Sequence, residues 1–170
     1  MPTMRIIGVL LLVCGSVLGV SAQAVSKQVL KEIEKGYTRI GKGWKEHNVA
    51  TITSVWSPDY TALSSKWRTL SRSLAEREVS RFVKLWKYSV DMRFTIETSK
   101  VVQEGKSVEL RVSQKGILAI GADAKAGNNR YEAPFFHTWV KTKRGWRLQY
   151  ERPVPFTPVR NKGVRIKEPF

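Results

Sequence analysis

Arg130 to Arg152 reads RYEAPFFHTWVKTKRGWRLQYER. Apolar and aromatic residues alternate with polar ones along two arms, with Lys143-Arg144-Gly145 as the turn between them. A period of two marks strands with one buried face, so this stretch is a β-hairpin. One face of the first arm holds Tyr131, Ala133, Phe135, His137 and Trp139. Unbroken alternation puts Trp146, Leu148, Tyr150 and Arg152 on the matching face of the second arm and sends Glu151 to the opposite one, toward the surface or a dimer interface. The inward face is an aromatic wall with a few polar groups set into it.

Upstream, the same period covers Met92, Phe94 and Ile96, then Val108, Leu110 and Val112, with a turn at Glu104-Gly105. Leu118 and Ile120 follow, and Gly121 to Asn129 reads as a loop. Before Asp91 the period becomes helical. Val29, Ile33, Tyr37, Ile40 and Trp44 form one stripe, with Ser26 placed to cap its start and Gly36, Gly41 and Gly43 placed to bend it. A short second helix is expected over Val49–Trp56, stopped by Ser57-Pro58, and Asp59–Leu63 reads as extended. Ser73-Leu74-Ala75-Glu76 is a capping box that opens a third helix burying Val79, Phe82, Val83 and Trp86. Three helices grouped ahead of antiparallel strands give an α+β fold, with the helices on one face of the sheet.

The chain ends differ from this core. Arg5 followed by apolar Ile6–Leu18 and small residues at Val20–Ala24 reads as a secretory signal over residues 1–24, cleaved near Ala22 or Ala24, for a secreted or periplasmic bacterial protein. The folded unit is expected over residues 25–152, and residues 153–170 form a basic, proline-containing tail unsuited to a helix or a central strand. Cys14, in the signal, is the single cysteine, so the processed chain has neither a disulfide nor a thiolate. A formal charge of +16, spread over every element, favours acidic partners such as an anionic polymer or a membrane surface. His47 and His137 are far apart in sequence and suit no metal site, and no phosphate loop or nucleophile elbow is present. No cofactor is expected. Lys84–Tyr88 and Lys143–Arg147 interleave aromatic and basic residues, yet each aromatic falls on an apolar stripe, which argues against specific nucleic-acid binding.

Three features in order carry a resemblance. They are an amphipathic helix leading to Val55-Trp56-Ser57-Pro58-Asp59-Tyr60-Thr61, a meander containing Val102-Gln103-Glu104-Gly105-Lys106-Ser107-Val108-Glu109-Leu110, and His137-Thr138-Trp139-Val140-Lys141 paired with Gly145-Trp146-Arg147-Leu148. From about Ser26 to Arg152 the chain resembles the nuclear-transport-factor-2-like superfamily, which includes SnoaL-like cyclases, ketosteroid isomerases and scytalone dehydratases. The resemblance implies a cone-shaped domain with a curved, mostly antiparallel sheet around a long helix, a pocket between them, and a homodimer through the outer sheet face. Fold alone does not assign activity.

Enzymes of that superfamily place a carboxylate or histidine in the apolar pocket, where desolvation tunes its pKa. Two candidates stand here. Asp59 reads as a general base or as a turn residue after Pro58, and His137 as an acid–base group or as a satisfied core histidine. Tyr60, Trp139, Tyr150 and Arg152 are the candidate ligand contacts: the tyrosines as hydrogen-bond donors, Trp139 as wall, Arg152 as an anion partner at the mouth. With few acids on inward stripes, the expected function is non-catalytic binding of a small ligand, anionic ones included. The alternatives are a lyase or isomerase using Asp59 or His137, and an envelope-associated protein that binds anionic polymers.

Overall fold

The computed structural model describes residues 24–64, 66–85, 91–118 and 129–154. Residues 1–23 of the expected signal peptide, Trp86 to Tyr88, Ile120, the 121–128 part of the loop and the tail beyond Val154 lie outside them. Among the described residues three helices, α1 (Lys27–Lys45), α2 (Val49–Thr53) and α3 (Arg72–Leu85), pack with six strands. The strands are β1 (Trp56–Leu63), β2 (Thr69–Ser71), β3 (Asp91–Gln103), β4 (Ser107–Leu118), β5 (Asn129–Thr142) and β6 (Gly145–Pro153). They form one sheet in the order β2-β1-β6-β5-β4-β3, antiparallel throughout except for β1 beside β6.

The hairpin that the sequence singles out is β5–β6, and it occupies the centre of the sheet. Gly145 turns it at φ 91°, a conformation that costs a residue with a Cβ. The inward residues Val108, Leu110 and Val112 of β4 lie opposite Trp139, His137 and Phe135 of β5. All three β4 residues are buried, together with Trp139 and His137. Helix α1 crosses this face as one continuous element and buries Ile33, Tyr37, Ile40 and Trp44, four of the five residues of the expected stripe. Ser26 caps it as anticipated, accepting from the Val29 amide.

Two elements start elsewhere than expected. Trp56 belongs to β1 and not to α2, because Pro58 interrupts helical geometry and the chain pairs with β6 immediately after Val55. Helix α3 begins at Arg72, with the Ser71 hydroxyl accepting from the Leu74 amide in place of the Ser73 box.

Gly36 is where α1 touches the sheet most closely. A Cβ built there would lie 2.5 Å from Cη2 and 2.9 Å from Cζ3 of Trp139. Gly36→Ala therefore sets a helix-propensity gain of about 1 kcal/mol against overpacking of about 1–3 kcal/mol on a fully buried indole. The ring cannot retreat, so the clash wins. Chemical denaturation should show a net loss of up to about 2 kcal/mol, whereas Lys35→Ala on the exposed side should be neutral.

Candidate functional site

Between α1, α3 and the inner sheet face lies an open cavity of about 820 Å³. Trp44, Trp56, Tyr60, Phe94 and Phe135 supply much of its aromatic lining, and Glu151 contributes a carboxylate. Tyr60 stacks on Trp56 with ring centroids 4.0 Å apart. Phe94 stacks on Tyr37 of α1 at 4.8 Å.

Behind the Glu151 carboxylate runs a chain of polar groups. Glu151 Oε2 lies 3.4 Å from His137 Nε2, and His137 Nδ1 is 2.9 Å from the Tyr37 hydroxyl. The indole N–H of Trp139 donates to that same hydroxyl at 3.0 Å. Indole nitrogen is a donor only, so the Tyr37 oxygen accepts from it; among the described residues His137 Nδ1 is the hydroxyl's one other hydrogen-bond partner, so the buried hydroxyl proton goes there. The order of donors thus assigns His137 the neutral tautomer, with its remaining proton on Nε2 facing Glu151. His137 Nε2 makes no hydrogen bond of ordinary geometry; its contact with the acid is longer than one.

Burial sets the electrostatics. His137 is wholly inaccessible, and desolvation pulls its pKa down to about 3, so it stays neutral. Desolvation pushes Glu151 up to about 7. Its 29% side-chain exposure opens onto the cavity, where apolar walls stand in for bulk water. Tyr37 and Tyr60 are raised far above the ordinary phenol value, in both cases chiefly by burial, and remain donors. The result is an uncharged imidazole fixed behind a carboxyl group that titrates near neutrality. Tyr37→Phe removes the central hydroxyl and strands the Trp139 N–H and His137 Nδ1. Each stranded buried group costs about 1–3 kcal/mol, part of which relaxation recovers, so unfolding should be easier by about 2 kcal/mol without loss of helix content by circular dichroism.

The structure redistributes the residues expected here. Tyr60 lines the cavity, while His137 and Trp139 stand behind it as the supporting chain. Asp59 is exposed, outside the cavity. The Ser57 and Gln149 side chains hold its carboxyl below the usual range, and the Gln149 amide donates to it. Tyr150 and Arg152, expected on the inward face, lie on the outer one. Tyr150 is opposite Thr138, and Arg152 sits over the Phe136 ring at 4.1 Å with Glu109 at 3.7 Å. Glu151, expected on the outer face, points inward.

A β-bulge accounts for the exchange. Trp139 pairs with Leu148 but Thr138 pairs with Tyr150, so Gln149 is an extra residue in β6. An extra residue reverses the facing of everything after it. Strand β1 is irregular at the same level: Trp56 pairs with Leu148 and Thr61 with Tyr150, which leaves Ser57–Tyr60 opposite Gln149 alone. The Gln149–Asp59 hydrogen bond ties the two irregular segments together. Asp59 thus helps fix the register that turns Glu151 inward. Neither glycine nor proline marks the bulge, so the alternation gives no warning of it.

No protein-family model matches this chain, and no curated protein matches it in sequence. Solved structures do match in shape. One, provisionally described as a scytalone dehydratase from Novosphingobium aromaticivorans, superposes with a TM-score of 0.67 at 12% identity, over 80% of this chain and 89% of its own. An uncharacterised protein with a cystatin-like fold from Caulobacter vibrioides gives 0.60 at 15% identity, over 77% and 92%. An NTF2-like protein with a cystatin-like fold, also from N. aromaticivorans, gives 0.57 at 13% identity, over 74% and 80%. The chain has the α+β, cone-like NTF2 fold. At these identities the likeness is one of fold.

Proposed function

We propose that the cavity binds a small, mainly apolar organic molecule and that Glu151 exchanges a proton with it, the chemistry of an isomerase or lyase. The observation that carries this reading is a carboxyl group in an aromatic-lined cavity with its pKa near 7. A base poised near the working pH combines a useful ionised fraction with adequate proton affinity. The ionised carboxylate removes a proton from carbon next to a carbonyl. The C–H electrons form the enolate double bond and the oxygen takes the charge. The protonated acid then returns a proton to carbon. Tyr60, whose ring lines the same cavity, is a buried donor for the enolate oxygen. An acid at this position disfavours an anionic group beside it, so neutral carbonyl compounds are preferred to the anionic ligands that the net charge suggests.

The test uses 2-tetralone as probe in heavy water, with deuterium uptake at its α-carbon followed by NMR. The native chain should accelerate uptake and Glu151→Gln should not. Saturable quenching of tryptophan emission by the ketone without accelerated exchange would leave binding as the function and remove the proton-transfer step.

A further inference from the structure

The described chain exposes three large hydrophobic side chains, and two of them, Trp67 and Leu74, belong to the segment that borders the cavity mouth. Trp67 is 54% exposed and sits between β1 and β2. Its backbone holds φ 58°, the left-handed region, with its amide donating to the Ser64 carbonyl. The flanking Lys66 and Arg68 line the rim of the cavity. Among the described residues neither has an ion pair, and Trp67 has no ring partner. Leu74 lies on the same rim, in the first turn of α3. One edge of the cavity thus carries an exposed indole flanked in sequence by two cations without ion pairs among the described residues, and an exposed leucine lines the same cavity, on a chain of net charge +16.

We infer that this rim docks on an anionic lipid bilayer, with Trp67 at the headgroup level and the cavity opening toward the membrane. Tryptophan favours the membrane–water interface because its ring is apolar and its N–H polar. Lys66 and Arg68 supply attraction to anionic headgroups, a contribution that falls off within a Debye length. A single-stranded nucleic acid also uses aromatic and basic groups, but it needs a groove that tracks its backbone. Here the neighbouring concavity is apolar and suits a lipid-soluble ligand entering from the bilayer. The inference does not depend on the role of Glu151.

The test uses the full chain and vesicles of brominated phosphatidylcholine, with or without about 30% phosphatidylglycerol to supply the anionic surface. The Trp67 signal is the emission of the native chain minus that of Trp67→Phe, which keeps an aromatic ring on the exposed site. That signal should be quenched on anionic vesicles and little affected on neutral ones. The double variant Lys66→Gln/Arg68→Gln should weaken the quenching isotherm about thirtyfold, as expected for two lost cations near the surface. Sedimentation with vesicles while the Trp67 signal stays unquenched would place the contact elsewhere, such as residues 6–18, and overturn the inference. Equal quenching on neutral vesicles would overturn it too, as would a Trp67 response to oligo(dT) with none to vesicles.

Discussion

Glu151→Gln is expected to slow α-proton exchange by about 10²–10⁴-fold, the contribution of a positioned general base. The substitution keeps the side chain's shape and removes the basic oxygen, so ketone binding should change little. For the native chain the exchange rate should rise with pH and level off above about 7, because the ionised carboxylate is the reactive form and its pKa lies there. His137→Leu, which carries no N–H, addresses the supporting chain. Without the Nε2 proton beside it, the carboxylate loses a stabilising dipole, and the inflection should move to higher pH while the plateau persists. A rate with no inflection between pH 5 and about 9 would remove Glu151 from the reaction.

The second large effect concerns stability. Glu151 has a folded pKa of about 7 against 4.5 for the free side chain. The folded state therefore holds a proton that the unfolded state lacks between those values, and this group makes stability fall as pH rises through the window. His137 is the reverse. Its folded pKa of about 3 against 6.5 means that the unfolded state holds the extra proton, and stability falls as pH drops from 6.5 toward 3. Between pH 4.5 and 6.5 the two slopes oppose each other, so this pair leaves the native chain nearly flat. Glu151→Gln deletes one slope and exposes the other, about 1.4 kcal/mol per pH unit. Over that two-unit window the variant should lose about 3 kcal/mol on acidification, against little for the native chain. At pH 8, where the buried carboxylate is charged, the variant should be the more stable of the two. Urea titrations at four pH values measure both curves, and parallel curves would refute the opposed pair.

Much of the fold was legible because it rests on local period. The α1 stripe, the Ser26 cap, the turns at Gly105 and Gly145 and the β5–β6 hairpin all follow from short-range sterics and from which residues avoid water. The site was only partly legible. Tyr60, a candidate from its place after the second helix, does line the cavity. His137 and Trp139 were rightly placed on the inward face, but their partner Tyr37 lies a hundred residues away on α1, and no spacing encodes that contact.

Sequence by itself determined an α+β chain with one aromatic inward face, since alternation and helical stripes are properties of neighbouring residues. Tertiary structure decided that Glu151 faces the cavity, where Glu78 of α3, paired with Arg81, also lies. Gln149 bulges out of β6 where it meets the irregular stretch of β1, and that single unpaired residue turns Tyr150 and Arg152 outward and Glu151 inward. A side-chain period of two carries no memory across such an insertion, and whether a residue pairs or bulges is settled by the strand beside it.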